Sequence, residues 1–218
     1  VVIVRAFEVP IVYDESYSIQ IAHISRNPFI ANNHPLNTLW LSLAWLLPFG
    51  DAEIGYRLIS VASFFIFGLG VVRLLRPIRS NVVWAAGSLS LLANPLLIEF
   101  WSLARGYALA TAAVTWVLVV VTNRSASFNS PRIPVTSALS AWGLIAFYSN
   151  FSTLFLVLGA WLVMSRPKES RLRSTRVLKA WWSAIKFPVL LLIPGVVWLV
   201  ALSVEGRLYY SGSDGIVE

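Results

Sequence analysis

The sequence predicts an all-α chain built as a polytopic bundle of transmembrane helices, and three observations carry that reading. Of the 218 residues, 57% are hydrophobic and only 12% charged, whereas a soluble domain carries about 25% charged residues. The apolar residues gather in runs of roughly 17–20, the length needed to cross a bilayer. The basic residues are also unevenly shared among the links between those runs. Arg73, Arg76, Arg79, Arg124 and Arg132, with all of those between 166 and 186, fall on one side, and Arg5, Arg26, Arg57, Arg105 and Arg207 on the other. Lys and Arg collect on the cytoplasmic side of membrane proteins. The segment 13–35 and the link around Arg105 therefore face outward.

The chain opens on an apolar VVIV without methionine. This opening lacks the charged n-region and cleavage site of a signal peptide, and reads as the tail of a helix continued upstream. Residues 5–55 form an outer loop that holds most of the polar chemistry. Asp14 reads as an N-cap, and Tyr17, Ile21 and Ile24 follow at helical spacing, giving a short amphipathic helix that ends at Asn27-Pro28. Residues 36–49 are apolar but too short for a comfortable span. Leu36, Leu39, Trp40, Leu43, Leu46 and Leu47 share one face, with Asn37, Thr38 and Ser42 off it, so a helix lying along the membrane surface is preferred over a span. About six spans follow, at 56–75, 82–98, 107–123, 133–148, 150–165 and 187–204. The basic segment 165–186 with Trp181-Trp182 reads as an inner-face helix on anionic lipid, not as a nucleic-acid patch. Residues 205–218 are turn-rich and begin another outer loop. The whole reads as a single transmembrane domain, 1–218, incomplete at both ends.

With no cysteine, disulfides and thiolate metal sites are excluded. His23 and His34 lie across a helix break without zinc-ligand spacing, so His23 reads as structural. No P-loop or GxGxxG occurs, which argues against nucleotide binding. What remains is a set of ionisable groups near the outer boundary: Asp14, Glu15, His34, Arg57, Glu99 and Arg105. Each has a plain reading and a chemical one. Adjacent carboxylates at a helix start serve as cap and dipole partner, or as a base with its pKa raised at a lipid boundary. Arginines at the ends of spans snorkel to headgroups, or grip phosphate through their planar fork. His34 before Pro35 is a capping or core residue, or a phosphate ligand. Because the outer face has no pool of nucleotide-activated donors, a transferase there needs its activated group delivered by a lipid, most simply as a polyprenyl phosphate ester. That reaction requires a base, cations for the departing phosphate, and a groove for the lipid tail.

Five stretches in order, YDESY, NNHPLNTLW, FGDAEIGYRLISV, NPLLIEFWSLARGYAL and FYSNFSTLFL, resemble landmarks of GT-C membrane glycosyltransferases. The branch resembled is that of protein O-mannosyltransferases and lipid A aminoarabinose transferase, over roughly residues 13–164. The resemblance implies a GT-C-like bundle with interfacial helices in its first outer loop. It also implies transfer of a sugar from a polyprenyl- or dolichyl-phosphate donor to an acceptor hydroxyl on a protein, lipid or glycan, with inversion, at the extracytoplasmic face of a plasma or inner membrane. Carried onto this chain, Asp14 would be the catalytic base with Glu15 beside it. His34, Arg57 and Arg105 would hold the donor phosphate, and Tyr13, Asn33, Glu99 and Tyr107 would contact substrate. The second proline of the family's pattern is replaced here by Leu36. No cofactor is implied; a magnesium or manganese ion among Asp14, Glu15 and Glu99 stays open on the chemistry of carboxylates near phosphate. The rival readings are a non-enzymatic transporter or lipid-handling membrane protein, and a scaffold subunit whose loop docks a partner.

Overall fold

The computed structural model describes residues 1–22, 34–48, 52–124, 135–165, 189–190, 192–201 and 203–204. His23, Arg26 and Asn33, the basic segment 166–186 and the closing stretch 205–218 lie outside the described residues. Within them the chain is all-helical, with no strand. In order come α1 (Val2–Glu8), α2 (Tyr13–Gln20), α3 (Pro35–Ala44), α4 (Glu53–Leu75), α5 (Asn81–Leu92), α6 (Pro95–Ser102), α7 (Gly106–Arg124) and α8 (Val135–Ser149). A 3-10 turn (Phe151–Thr153) then leads into α9 (Leu154–Ser165), and an apolar helix α10 covers Leu192–Ala201.

Helices α4 and α7 are the centre. They run parallel: Arg57 and the residues before Gly106 sit at one end, and further along Trp116 Nε1 donates to the Ile66 carbonyl at 2.9 Å. A Cβ on Gly70 would stand 2.9 Å from Thr115 Cγ2, so the absence of a side chain there allows the two backbones to approach closely. Helix α8 packs antiparallel on α7, with Trp142 stacked on Trp116 at 5.4 Å. Helix α5 returns along α4, Leu92 lying beside Gly68 and Leu75 beside Gly87. One apolar cluster joins Val2, Phe67, Val71 and Trp101, and a second joins Val117, Leu139, Phe147 and Trp161.

Of the expected spans, one helix alone is long and apolar enough to cross a membrane among the described residues. That is the 23-residue α4, which at ~1.5 Å per residue measures about 34 Å. The run 82–98, expected as one span, is instead two helices meeting at 50°. Asn94 disfavours the helical region before Pro95, and its side chain caps the new helix by accepting from Leu96 N at 3.0 Å and Leu97 N at 3.4 Å. The segments 106–122, 151–163 and 192–201 are shorter apolar helices.

Several hydroxyl-bearing side chains lie inside this bundle beside the apolar clusters, and many large apolar side chains lie on its surface. Ser60, Ser63, Ser102, Ser149 and Thr115 are buried, while Phe65, Leu69, Val82, Leu89, Phe155, Leu162 and Val197 are exposed. Helix α3 buries Asn37, Leu41 and Ala44, at i, i+4 and i+7, whereas Leu39, Ser42, Leu43 and Leu46 are exposed. Of its polar residues Asn37 alone is buried, and part of the leucine face turns away from the protein.

Candidate functional site

The end of the bundle where α4 and α7 begin gathers charged residues from the segment before α4 and from the link before α7. Helix α2 starts two residues earlier than expected: its N-cap is Val12, and Asp14 sits within the first turn. This register makes Glu15 the third helical residue, where its side chain reaches back to accept from Val12 N at 3.1 Å. Successive helical residues project about 100° apart. Glu15 therefore turns into the protein while Asp14 stays at the surface.

Glu15 and Arg57 are both 1% exposed and meet in a forked ion pair. Arg57 Nε donates to Oε1 at 2.9 Å, and Nη2 donates to Oε2 at 2.6 Å. The other guanidinium protons go to main-chain carbonyls: Nη1 to Val9 at 2.6 Å and Ala6 at 3.0 Å, Nη2 to Pro10 at 3.2 Å. A guanidinium has five N–H donors, and all are used. The carboxylate is equally full, because Oε1 also accepts from Ala104 N at 2.5 Å and Oε2 from Val12 N. This corrects two expectations: Arg57 has no donor left for a phosphate, and Glu15 has no lone pair left to assist a reaction. The pair instead ties the turn after α1, the start of α2, α4 and the α6–α7 link together.

That link is the second piece of the frame. Ala104 gives its N–H to Glu15, and its carbonyl accepts from Asn37 Nδ2 at 3.1 Å. Both sides of one residue are thus clamped, and the next residue, Arg105, is set against Asp14 in an ion pair. Here both partners reach the surface, with side-chain exposures of 21% for Arg105 and 47% for Asp14. Burial pushes the pKa of the Arg105 guanidinium down from its ordinary value, and neighbouring Tyr107 pushes it back up. The Arg105 Nε proton is buried without a hydrogen-bond partner.

Gly106 follows, wedged where a Cβ would overlap the Ser149 carbonyl and stand 2.5 Å from His34 Cβ. His34 is the N-cap residue of α3, but its side chain makes no capping bond. The ring instead meets Tyr107 edge-on at 4.8 Å, and Tyr107 stacks on Phe100 at 4.9 Å. Burial lowers the His34 pKa to about 4, opposed by a hydrogen bond to the Ser149 backbone. Near neutral pH the imidazole is uncharged, which corrects the expectation of a cationic phosphate ligand at this position.

Of the expected substrate contacts, Tyr107 belongs to this cluster. Tyr13 is exposed beside Asp14, and Glu99 is exposed on α6. Among the described residues no three of His, Asp and Glu gather as a ligand set for a metal ion. Sequence reasoning missed Asn37, Gly106 and Ser149 as parts of the frame. The one available signal was an asparagine within an apolar helix, lying off its leucine face. Comparison of the chain with protein-family models, with curated proteins and with solved structures finds no match.

Proposed function

We propose that the chain is an integral membrane glycosyltransferase of the GT-C type. It would transfer a sugar from a polyprenyl- or dolichyl-phosphate to an acceptor hydroxyl at the extracytoplasmic face, with inversion. The observation that carries the reading is the accessible Asp14–Arg105 pair, mounted on a saturated Glu15–Arg57 frame where α4 and α7 begin. Membrane insertion is supported by the many large apolar side chains on the surface, Phe65, Leu69, Phe155 and Leu162 among them, and by the length of α4. Six spans remain the reading of the sequence; the bent α5–α6 pair would count as one of them. Arg73, Arg76 and Arg79 cluster at and beyond the far end of α4, so the positive-inside rule directs the Asp14 end outward.

In the reaction, Asp14 takes the proton of the acceptor hydroxyl as its oxygen attacks the anomeric carbon. The bond from that carbon to the phosphate oxygen breaks, and the negative charge that leaves with the phosphate develops beside Arg105. Inversion follows from attack opposite the leaving group. His34 and Tyr107, in edge-on ring contact, lie next to the link that carries Arg105. The donor and acceptor are the chain's partners in this reading, with membrane lipid around the helices and no nucleic acid. The test is transfer from a radiolabelled polyprenyl-phosphate sugar by reconstituted protein: Asp14→Asn is expected to abolish it while the chain still folds. Normal turnover in that variant would remove the assignment.

A transporter or lipid-handling protein is the second reading, and the observation that favours it is the broken α5–α6 helix, since discontinuous helices line substrate sites in transporters. Movement of a lipid-linked sugar across vesicles without any covalent transfer would favour it.

A further inference from the structure

Two ion pairs share one end of the bundle, with Glu53 also 3.5 Å from Arg57 Nη1, yet only the Asp14–Arg105 pair has capacity left. Every N–H of Arg57 and every lone pair of Glu15 is spoken for, and His34 carries no charge near neutral pH. Arg105 is the cation of this cluster with an unused donor, the buried Nε. Its guanidinium is nonetheless occupied on its exposed side by Asp14. A phosphate oxygen approaching Arg105 competes with a carboxylate already in place, and the carboxylate it must dislodge is the group assigned above to the acceptor hydroxyl.

We propose that Arg105 is an exchangeable anion seat. Asp14 occupies it in the resting chain, and a phosphate ester headgroup takes it over, releasing the Asp14 carboxylate toward the acceptor. Resting on the transferase reading, this makes binding ordered: phosphate-bearing donor first, acceptor second. It also protects the donor from water, because the base is disarmed until a phosphate is seated.

Three features make exchange at this position easy and specific. The pair is half exposed on the Asp14 side, so water can solvate the carboxylate as it leaves, and an exposed ion pair is weak. The guanidinium itself is held from behind, since Ala104 is clamped by Glu15 and Asn37 and Gly106 is wedged against Ser149 and His34. The arginine stays while the carboxylate leaves. A phosphate also brings more acceptor oxygens than a carboxylate, enough to reach the fork and the idle Nε proton together.

Binding and turnover are read separately on the full chain in detergent or nanodiscs, with a short polyprenyl phosphate as the lipid probe and inorganic phosphate as the free anion. Asp14→Asn is expected to bind the lipid probe about fivefold more tightly than the native chain, because the competing pair is gone. Asp14→Glu, which keeps a carboxylate, should stay within about twofold of native, and Arg105→Gln should lose the binding. Equal or weaker binding by Asp14→Asn overturns the exchange. Tightening with inorganic phosphate alone upholds the exchange but assigns the seat to free phosphate, and so removes the lipid-donor reading instead. A measurement without variants covers the case in which they fail to fold. Carbodiimide labelling of Asp14 in the native chain should accelerate when the lipid probe is added, with buried Glu15 unlabelled throughout. Slower or unchanged Asp14 labelling on adding the probe overturns the proposal.

Discussion

Two ion pairs stand side by side at one end of this molecule, drawn from consecutive carboxylates and from two arginines that open successive long helices. Glu15–Arg57 is sealed, with 1% exposure on both partners. Asp14–Arg105 is open, with 21% and 47%. Chemically the pairs are equivalent; their surroundings assign the roles. The sealed pair has exchanged water for a full set of protein hydrogen bonds, which is the condition under which a buried pair is tolerated at all. The open pair keeps water on one side and an idle proton on the other, and so retains the ability to change partners.

The largest expected effect lies on the sealed side. Arg57→Ala leaves the Glu15 carboxylate buried against lost donors and orphans three carbonyls, a loss of about 3–5 kcal/mol. Denaturation in detergent should show it as a chain that unfolds early or is not recovered. A loss below about 1 kcal/mol would mean that the sealed pair behaves like a surface one, and the contrast between the pairs would collapse.

A pH experiment separates the frame further. The folded pKa of His34, about 4, lies below its ordinary 6.5. As pH falls, the unfolded chain takes up the proton first. The stability His34 contributes is therefore present above about pH 6.5 and lost progressively toward pH 4, up to roughly 3 kcal/mol. His34→Gln should flatten that part of the stability curve relative to native. Curves that fall in parallel would show that His34 is not held neutral by its burial.

Gly106→Ala tests the joint between the two pairs. The new methyl meets the Ser149 main chain as well as His34, and a backbone carbonyl yields less readily than a side chain. The expected cost is about 1–3 kcal/mol, with transfer falling further because Arg105 is the preceding residue. An alanine variant with native stability and native rate would free the link from the positioning role given to it.

How much of this was legible beforehand follows from which interactions are local. The all-helical class and the concentration of polar residues before α4 follow from composition and apolar run length; the alternation of charged links set Asp14 and Arg105 on one side, and their meeting is seen only in the fold. The break at Asn94-Pro95 was also written in the sequence, and a long apolar window concealed it. The division of labour between Asp14 and Glu15 was not readable. It depends on α2 starting after Val12 rather than at Asp14, and a shift of that size rotates which carboxylate faces inward. Nor was the burial of Asn37, because its partner is the Ala104 carbonyl, an interaction across 67 residues that no local pattern encodes. The exposed Leu39 and Leu43 of α3 go against the pattern expected of a soluble helix and fit a helix whose outer face meets apolar surroundings.

The smallest stability effect belongs to the open pair, and it sharpens the comparison most. Asp14→Asn removes one charge from a half-exposed contact, worth about 0–1 kcal/mol once solvent screening is allowed for. The helix keeps its start, since Val12 and Glu15 rather than Asp14 fix its first turn. Denaturation curves of the variant and the native chain should nearly superimpose, and added salt should bring them closer still. The same substitution is expected to end sugar transfer altogether. A residue whose loss the fold barely registers and the reaction cannot survive is placed for chemistry rather than architecture. If Asp14→Asn instead cost as much stability as Arg57→Ala, the open pair would be a second structural clamp, and the end of the bundle would hold no group free to act on a substrate.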